Sequence, residues 1–498
     1  MQRAAIHCVL KSALQGDRLL WATLGLLVVR LWLMPLPSSL WVDEMVTVFV
    51  VQQGAAHPSL AVAPQVPASL YYWLPALVQR LFGFSEIGYR LPSVLAVGLA
   101  VFLVARLAAC LIHPQAGWLA AFACFALGGI DYHAADARPY ALGMAVSAAA
   151  AWFLVRWLDR ARWLDGLLFA AFAGLLWWVH LVYWPFYCAI ALYAIVRFVR
   201  RDTAVSRARA AVVFTLLGGA LVPVFLHTLR LVGEAQAHVI AEPPSLRVFF
   251  NSFQLRLLLI CGGGAWLLGR LLRWKPDALR LSLPSAVLIL GWWLSQPLCL
   301  YGFSWLSGNS VFVQRYLSLM LPGVALAAVA VAARFIPQNR WKHAALGLGV
   351  GVLLIRAQWT TPWPQHDNSD WRSAARAVNR LRLGPDLPLV CPSPFIEARW
   401  PVWRPDYPLP GFLYAHLPVY PVTGHPYLFA NETSPEAERY AASLLHGRLS
   451  DCGRFVLYGG AGNVRFWRKW FIAQPELTGW RNRSLGEFGD MGAVLFER

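Results

Sequence analysis

The chain has 498 residues, of which 58% are hydrophobic and only 14% charged, with a mean hydropathy of +0.50. That balance excludes an ordinary soluble enzyme, because a soluble core does not need so many apolar runs of membrane-spanning length. The net charge of +18 invites a nucleic-acid reading, but the distribution of the basic residues argues otherwise.

Basic residues cluster in alternate loops: Arg3, Lys11 and Arg18; Arg160 and Arg162; Arg197 to Arg209; Arg270 to Arg280; Arg334 to Lys342. This is the positive-inside pattern, so the charge reports topology. Apolar runs lie near 19–36, 91–111, 116–130, 140–158, 166–181, 184–199, 211–230, 255–271, 283–302, 316–334 and 343–359. The first ends in M-P-L-P-S-S-L, a poor cleavage site, and reads as an uncleaved span. Eleven spans with a cytoplasmic N-terminus put the C-terminal region outside. The expected fold is therefore mainly α, a polytopic membrane domain over 1–359.

After the first run comes Trp41 to Gln53, carrying the adjacent acids Asp43 and Glu44. Residues 37–90 form the longest early outer loop. Pro58, Pro64 and Pro67 break its first half, and Leu70 to Phe82 reads as an amphipathic interfacial helix. A second outer loop, Gly129 to Pro139, reads G-I-D-Y-H-A-A-D-A-R-P. A third, about 231–254, holds Glu234, His238, Glu242 and Pro243-Pro244. A fourth ends in Gln314-Arg315-Tyr316. Gly262-Gly263-Gly264 sits in an apolar run and suits close helix packing.

From Thr360 the chain turns polar. Ser369 is expected to cap a helix with Trp371, Ala374, Ala375, Val378 and Leu381 at helical spacing. Leu387 to Val390, Phe455 to Tyr458 and Ala493 to Phe496 read as strands, so 360–498 is expected to be a small extracytoplasmic α/β domain. Its two cysteines, Cys391 and Cys452, suit a disulfide if the domain lies outside, with two free thiols as the alternative. Trp400, Trp403, Tyr407 and Tyr414 suit either glycan binding or the core of the domain.

Four outer loops thus gather ionisable residues on one face. Asp43 and Glu44 suit a general base that takes a proton from an alcohol, or else an acid pair that ends a helix. Arg90, Arg138 and Arg315 stand at outer span starts against the positive-inside trend. Guanidinium pairs bidentately with phosphate, whereas the bland alternative is an anchor to headgroups. Asp131, His133 and Asp136 fit a second acid site, metal ligands, or an ion-pair network that fixes Arg138; D-x-H alone is a weak signal for a divalent cation. His180, in W-W-V-H-L-V-Y-W, and the Tyr71-Tyr72 pair complete the candidate substrate contacts. The chain has no G-x-S-x-G, H-E-x-x-H or Walker sequence.

Taken in order, Asp43-Glu44, L-Y-Y (70–72), L-F-G-F-S-E-I-G-Y-R-L-P-S-V-L (81–95), D-A-R-P-Y-A-L (136–142) and H-L-V-Y (180–183) carry a family resemblance. The chain resembles the bacterial type C glycosyltransferases related to protein O-mannosyltransferases and to the lipid A aminoarabinose transferase (glycosyltransferase family 39-like). The likeness covers about residues 20–200, with an echo in Q-R-Y-L-S-L-M-L-P (314–322). It implies a multi-span domain with its cavity at the outer face and a polyprenyl-phosphate sugar donor. By this resemblance Asp43 matches the catalytic acid and Glu44 its companion. Asp136 and Arg138 match an E-A-R, Arg315 matches a basic residue facing the lipid phosphate, and His180 matches a recurrent histidine. The chain departs from the family at Pro67-Ala68-Ser69, where H-P-P is usual, and at Asp136, where Glu is usual.

The resulting expectation is an inverting glycosyltransferase of the cytoplasmic membrane, with its active site and C-terminal domain facing the periplasm. Asp43, Glu44 and Asp136 would be its acids, Arg90, Arg138 and Arg315 its phosphate ligands, and Tyr71, Tyr72, His133 and His180 its substrate contacts. The acceptor would be a lipid, glycan or protein hydroxyl. A monophosphate donor does not require a divalent cation. The alternative is a transporter or flippase of a lipid-linked anion, which would place ionisable residues near the bilayer midplane.

Overall fold

Apolar runs that must satisfy their backbone internally become helices, and helix is found over each of the eleven runs. The computed structural model describes residues 17–54, 69–235, 242–275, 281–308, 310–382 and 384–498. Arg3, Cys8, Lys11, Pro58, Pro64, Pro67, Ala68, His238 and Arg280 lie outside the described residues, as does the side chain of Glu234. Among the described residues, six helical stretches are long and apolar enough to cross a membrane, or seven if the bent pair Leu246–Ser252 and Leu255–Leu271 counts as one. Helices Gly117–Ala126 and Trp163–Val179 are apolar but shorter. The chain is a multi-pass membrane protein.

It divides into two compact units. The helical unit comprises Met1–Leu36, Ser69–Tyr71 and Arg90–Pro364. Its centre is the helix Gly117–Ala126, buried from Leu119 to Phe125, which packs against Arg18–Leu27 and Trp341–Arg356. Small residues set that approach: a Cβ on Gly349 would stand 2.8 Å from the Phe122 ring. In the glycine triplet only Gly262 serves close packing, its Cβ position lying 2.6 Å from Val331, whereas Gly263 and Gly264 face open space. Arg30, in the last turn of the first span, donates to the carbonyls of Ala357, Gln358, Thr361 and Pro362 and so holds the chain where it leaves the last span. Such orphan helix-end carbonyls need donors.

The mixed unit comprises Pro37–Ala68, Tyr72–Tyr89 and Gln365–Arg498. It carries a five-stranded sheet of β1 (Pro388–Pro392), β2 (His425–Phe429), β3 (Arg454–Gly460), β4 (Arg481–Ser484) and β5 (Met491–Glu497), in the order β2-β1-β3-β5-β4. β1 runs parallel to β2 and β3, and β5 runs antiparallel to β3 and β4, with Leu389 opposite Val456 and Val456 opposite Leu495. β1 is buried at every residue, as expected of a parallel strand covered on both faces. Helices Trp371–Arg380 and Ala461–Ile472 cover it with the fully buried Trp371 and Trp467.

Three of these strands are those expected from the sequence. The other two are edge strands: β2 contains Pro426, and β4 reads R-N-R-S and is largely exposed, so neither carries an apolar signal. The cap of helix Trp371–Arg380 is corrected from Ser369 to Asp370, whose carboxylate accepts from Ser373 N at 3.0 Å. Cys391 and Cys452 are both free, one buried on β1 and the other exposed, so the expected disulfide is absent. Trp403 and Tyr414 belong to the core, where they donate to the carbonyls of Leu428 and Phe429; Trp400 is exposed. The break expected at 359/360 falls five residues before the last segment of the mixed unit begins at Gln365. That unit also takes in most of the first loop, including the helix Trp73–Phe82, which leaves Trp73, Leu77 and Leu81 exposed.

Candidate functional site

In the helical unit the second loop folds as a short helix, Gly128–Ala134, followed by a turn into the span Tyr140–Arg160. The turn is closed by Arg138 N donating to Asp136 O at 2.8 Å. Asp131, His133 and Asp136 are all buried. Asp131 accepts from Trp32 Nε1 at 3.0 Å and pairs with Arg356 at 3.2 Å. Asp131 thus forms an ion pair, but with Arg356 and not with the Arg138 that the sequence reading named. His133 Nδ1 meets Asp136 Oδ2 at 3.4 Å, so histidine and acid form a second pair.

His180 ends the helix Trp163–Val179 and adopts extended backbone, where its Nδ1 accepts from Val182 N at 3.3 Å. Acceptance at Nδ1 leaves the ring proton on Nε2. Both Arg138 and Arg315 act electrostatically on this ring. Two of the three predicted arginines, from loops far apart in sequence, are therefore within electrostatic reach of one histidine.

Arg315 is delivered by the tight helical turns Gln314–Met320, which are pinned from two sides. Gln296 donates to Tyr316 O at 2.5 Å and accepts from Met320 N at 3.0 Å, and Trp292 Nε1 donates to Leu319 O at 2.8 Å. The Arg315 guanidinium lies 5.7 Å from the Tyr316 ring centre, within cation–π range. Around His180 the rings of Tyr316, Tyr183 and Tyr140 stand at 5.1, 5.4 and 5.9 Å, and His133 stands 4.8 Å from Tyr140. Tyr183 reaches this cluster because Gly143 has no side chain: a Cβ there would lie 2.3 Å from the Tyr183 ring. Its hydroxyl hydrogen-bonds Ser318 at 3.3 Å.

Tyr140 and Tyr316 were not anticipated. A signal existed, since both predicted arginines are followed within two residues by tyrosine, in Arg138-Pro139-Tyr140 and Arg315-Tyr316. Arg90, the third arginine, is fully buried and donates to Leu36 O at 2.9 Å and, at a longer 3.4 Å, to Pro35 O. Those contacts tie it to the end of the first span. Tyr71 is buried in the same unit, beside Ser69, whose hydroxyl donates to Val179 O at 2.7 Å just before His180.

In the mixed unit Asp43 and Glu44 stand in the first turn of helix Val42–Gln53, where the helix dipole favours acids. Glu44 is fully buried and its Oε2 accepts from Trp41 N at 3.1 Å, so one of its oxygens caps its own helix. Asp43 is half-buried. Tyr72 is buried in this unit.

Comparison with known proteins adds to this geometry. The family model of dolichyl-phosphate-mannose-protein mannosyltransferase matches residues 66–227, about a third of the chain. This stretch contains Arg90, Asp136, Arg138 and His180, but not Asp43 or Arg315. The crystal structure of ArnT from Cupriavidus metallidurans in the apo state superposes with a TM-score of 0.57 at 13% identity, over 97% of this chain and 98% of that one. The fold is that of the type C glycosyltransferases. ArnT from the same organism bound to undecaprenyl phosphate superposes at 0.55 and 12% identity, over 96% and 98%. No curated protein matches the sequence. The type C fold extends over nearly the whole chain, so it takes in the mixed unit as well as the spans.

Proposed function

We propose that the chain transfers a sugar from a polyprenyl-phosphate donor to an acceptor hydroxyl, at the outer side of the cytoplasmic membrane and with inversion. The observation that carries this reading is the tyrosine cluster around His180, with Arg315 over Tyr316 and both Arg315 and Arg138 within electrostatic reach of the histidine. Two guanidiniums beside a ring N–H suit a phosphate whose charge grows as the glycosidic bond breaks. The mannosyltransferase family match and the fold shared with ArnT, a protein known bound to undecaprenyl phosphate, support a lipid phosphate in that role.

In this mechanism Asp43 takes the proton of the acceptor hydroxyl, whose oxygen attacks the anomeric carbon. The bond to phosphate breaks in the same step, and the leaving polyprenyl phosphate carries the electron pair onto an oxygen held by Arg138 and Arg315. Glu44 keeps the helix start in place, and Asp136 with His133 holds the turn that presents Arg138. This step as written uses no cofactor, and a divalent cation is compatible with it. The test is transfer from a radiolabelled polyprenyl-phosphate hexose or aminopentose into detergent-extracted envelope lipid and glycan, using membranes carrying the wild-type chain or Asp43→Asn. Asp43→Asn is expected to lose at least about 10²-fold in rate, as for removal of a general base. Unchanged transfer would remove Asp43 from that role, and no transfer by the wild type would overturn the reading.

A further inference from the structure

The mixed unit contains a set of bonds that the proposed reaction does not yet use. Residues 37–40, which lead into the helix bearing Asp43, are tied one after another to the segment 366–420 of the same unit. Ser38 Oγ accepts from His366 N at 3.2 Å. Ser39 Oγ donates to Asp370 at 3.1 Å and accepts from Arg372 N at 3.2 Å. Leu40 N donates to the Tyr420 hydroxyl at 2.8 Å. Leu40 is fully buried, and both serines are nearly so.

Arg372 is the centre of this set. Its guanidinium donates to Pro37 O at 3.0 Å and forms an ion pair with Glu86, which also accepts from Tyr420. Pro37 and Glu86 lie near the two ends of the first loop, so one side chain holds both ends. Asp370, two residues earlier, caps the Arg372 helix and binds Ser39 with the same oxygen. Beyond the acids, Phe49 packs edge-on against Phe412 at 6.4 Å.

We infer that Arg372 is a positioning residue for Asp43, and that residues 365–498 brace the loop from which this acid is presented. A planar guanidinium can serve a carbonyl and a carboxylate in different directions, which a lysine ammonium on a flexible stem does poorly. This inference rests on the proposed role of Asp43, but the brace itself has a readout independent of activity.

The experiment uses the full chain in lipid nanodiscs, as wild type, Arg372→Ala, Arg372→Lys and Tyr420→Phe. Amide hydrogen exchange over 38–53 is expected to rise at least about tenfold in Arg372→Ala and a few-fold in the milder Tyr420→Phe, with β1 and β3 unchanged. Transfer of radiolabel from the polyprenyl-phosphate donor is expected to fall about 10–100-fold per bound donor in Arg372→Ala. The acid limb of its pH–rate profile should move with it, and Arg372→Lys should recover part of the rate. A merely structural lesion would lower the donor bound per chain and leave the pH limb in place. Unchanged exchange over 38–53 overturns the brace, and a rate loss that only follows lost donor binding overturns the positioning role. If Asp43→Asn is inactive while Arg372→Ala transfers normally, the positioning role alone falls. If Asp43→Asn transfers normally, it is the reading of Asp43 that falls.

Discussion

The two units solve the same problem, holding charged groups in fixed places, in opposite ways. In the helical unit the charges are few and sit at helix ends: Asp131 on Arg356, Asp136 on His133, and Arg90 and Arg30 on span-end carbonyls. Its interior is apolar, and the tight turns that carry Arg315 are fixed by neutral groups, Gln296 and Trp292. In the mixed unit, ionic and hydroxyl contacts bind segments that lie about 330 residues apart in sequence, above a sheet core of Trp371, Trp467 and Phe455. Lipid-embedded helices satisfy their own backbones, so only their ends need help. A loop of irregular backbone needs a partner for nearly every polar group, and here a whole domain supplies it.

The largest effect is expected from Trp467→Ala. Trp467 is fully buried between helix Ala461–Ile472 and Phe429, with ring centres 4.7 Å apart, and its removal should cost the mixed unit about 3–5 kcal/mol. Hydrogen exchange resolved by segment should show β1 and β3 opening while 117–126 and 341–356 stay protected. Equal opening in both would break the comparison.

Next in size are Arg138→Ala and Arg315→Ala. Each should lower transfer by about 10²–10³-fold, equivalent to about 3–4 kcal/mol. The double variant should lose much less than the product of the two, because both guanidiniums are proposed to act on one phosphate. Neither should alter exchange in the mixed unit. Full additivity in a double-mutant cycle would separate the two arginines.

The smallest effect concerns His416, which is wholly buried against Trp371 at 4.6 Å and whose burial pulls its pKa down to about 3. The folded state keeps this ring neutral, while the unfolded chain takes up a proton below about pH 6.5. Stability of the mixed unit should therefore be level above that pH. It should fall as the pH drops from about 6.5 towards 3, by at most about 1.4 kcal/mol per pH unit. His416→Phe should flatten the slope of the thermal midpoint between pH 7.5 and 5. An unchanged slope would place the sensitivity elsewhere.

Much of this was legible in the sequence because membranes impose a one-dimensional rule. Long apolar runs read as helices, and arginines on the wrong side of the positive-inside pattern read as special. That logic singled out Arg138 and Arg315, which the structure sets within electrostatic reach of His180. It also picked Arg90, whose neighbours turned out to be carbonyls at the end of the first span, a destination that only the folded chain reveals. The β2 and β4 strands escaped because edge strands need no apolar alternation. The brace on residues 37–40 escaped because no local pattern links Ser39 to Asp370. Glu44 was read as a second acid or as part of a pair that ends the first helix, and its bond to Trp41 N sets it instead at the start of the next helix.

Arg30 has a consequence for how the chain is made. Its guanidinium belongs to the first span to be synthesised, yet its carbonyl partners at Ala357 to Pro362 are among the last residues to leave the ribosome before the sheet domain. Until they arrive, the cation must stay hydrated or be shielded by other helices, since a bare guanidinium in the bilayer is costly. This contact between the first and last spans therefore forms only once residues 357–362 have been made, and a chain stopped before residue 357 lacks these acceptors for Arg30.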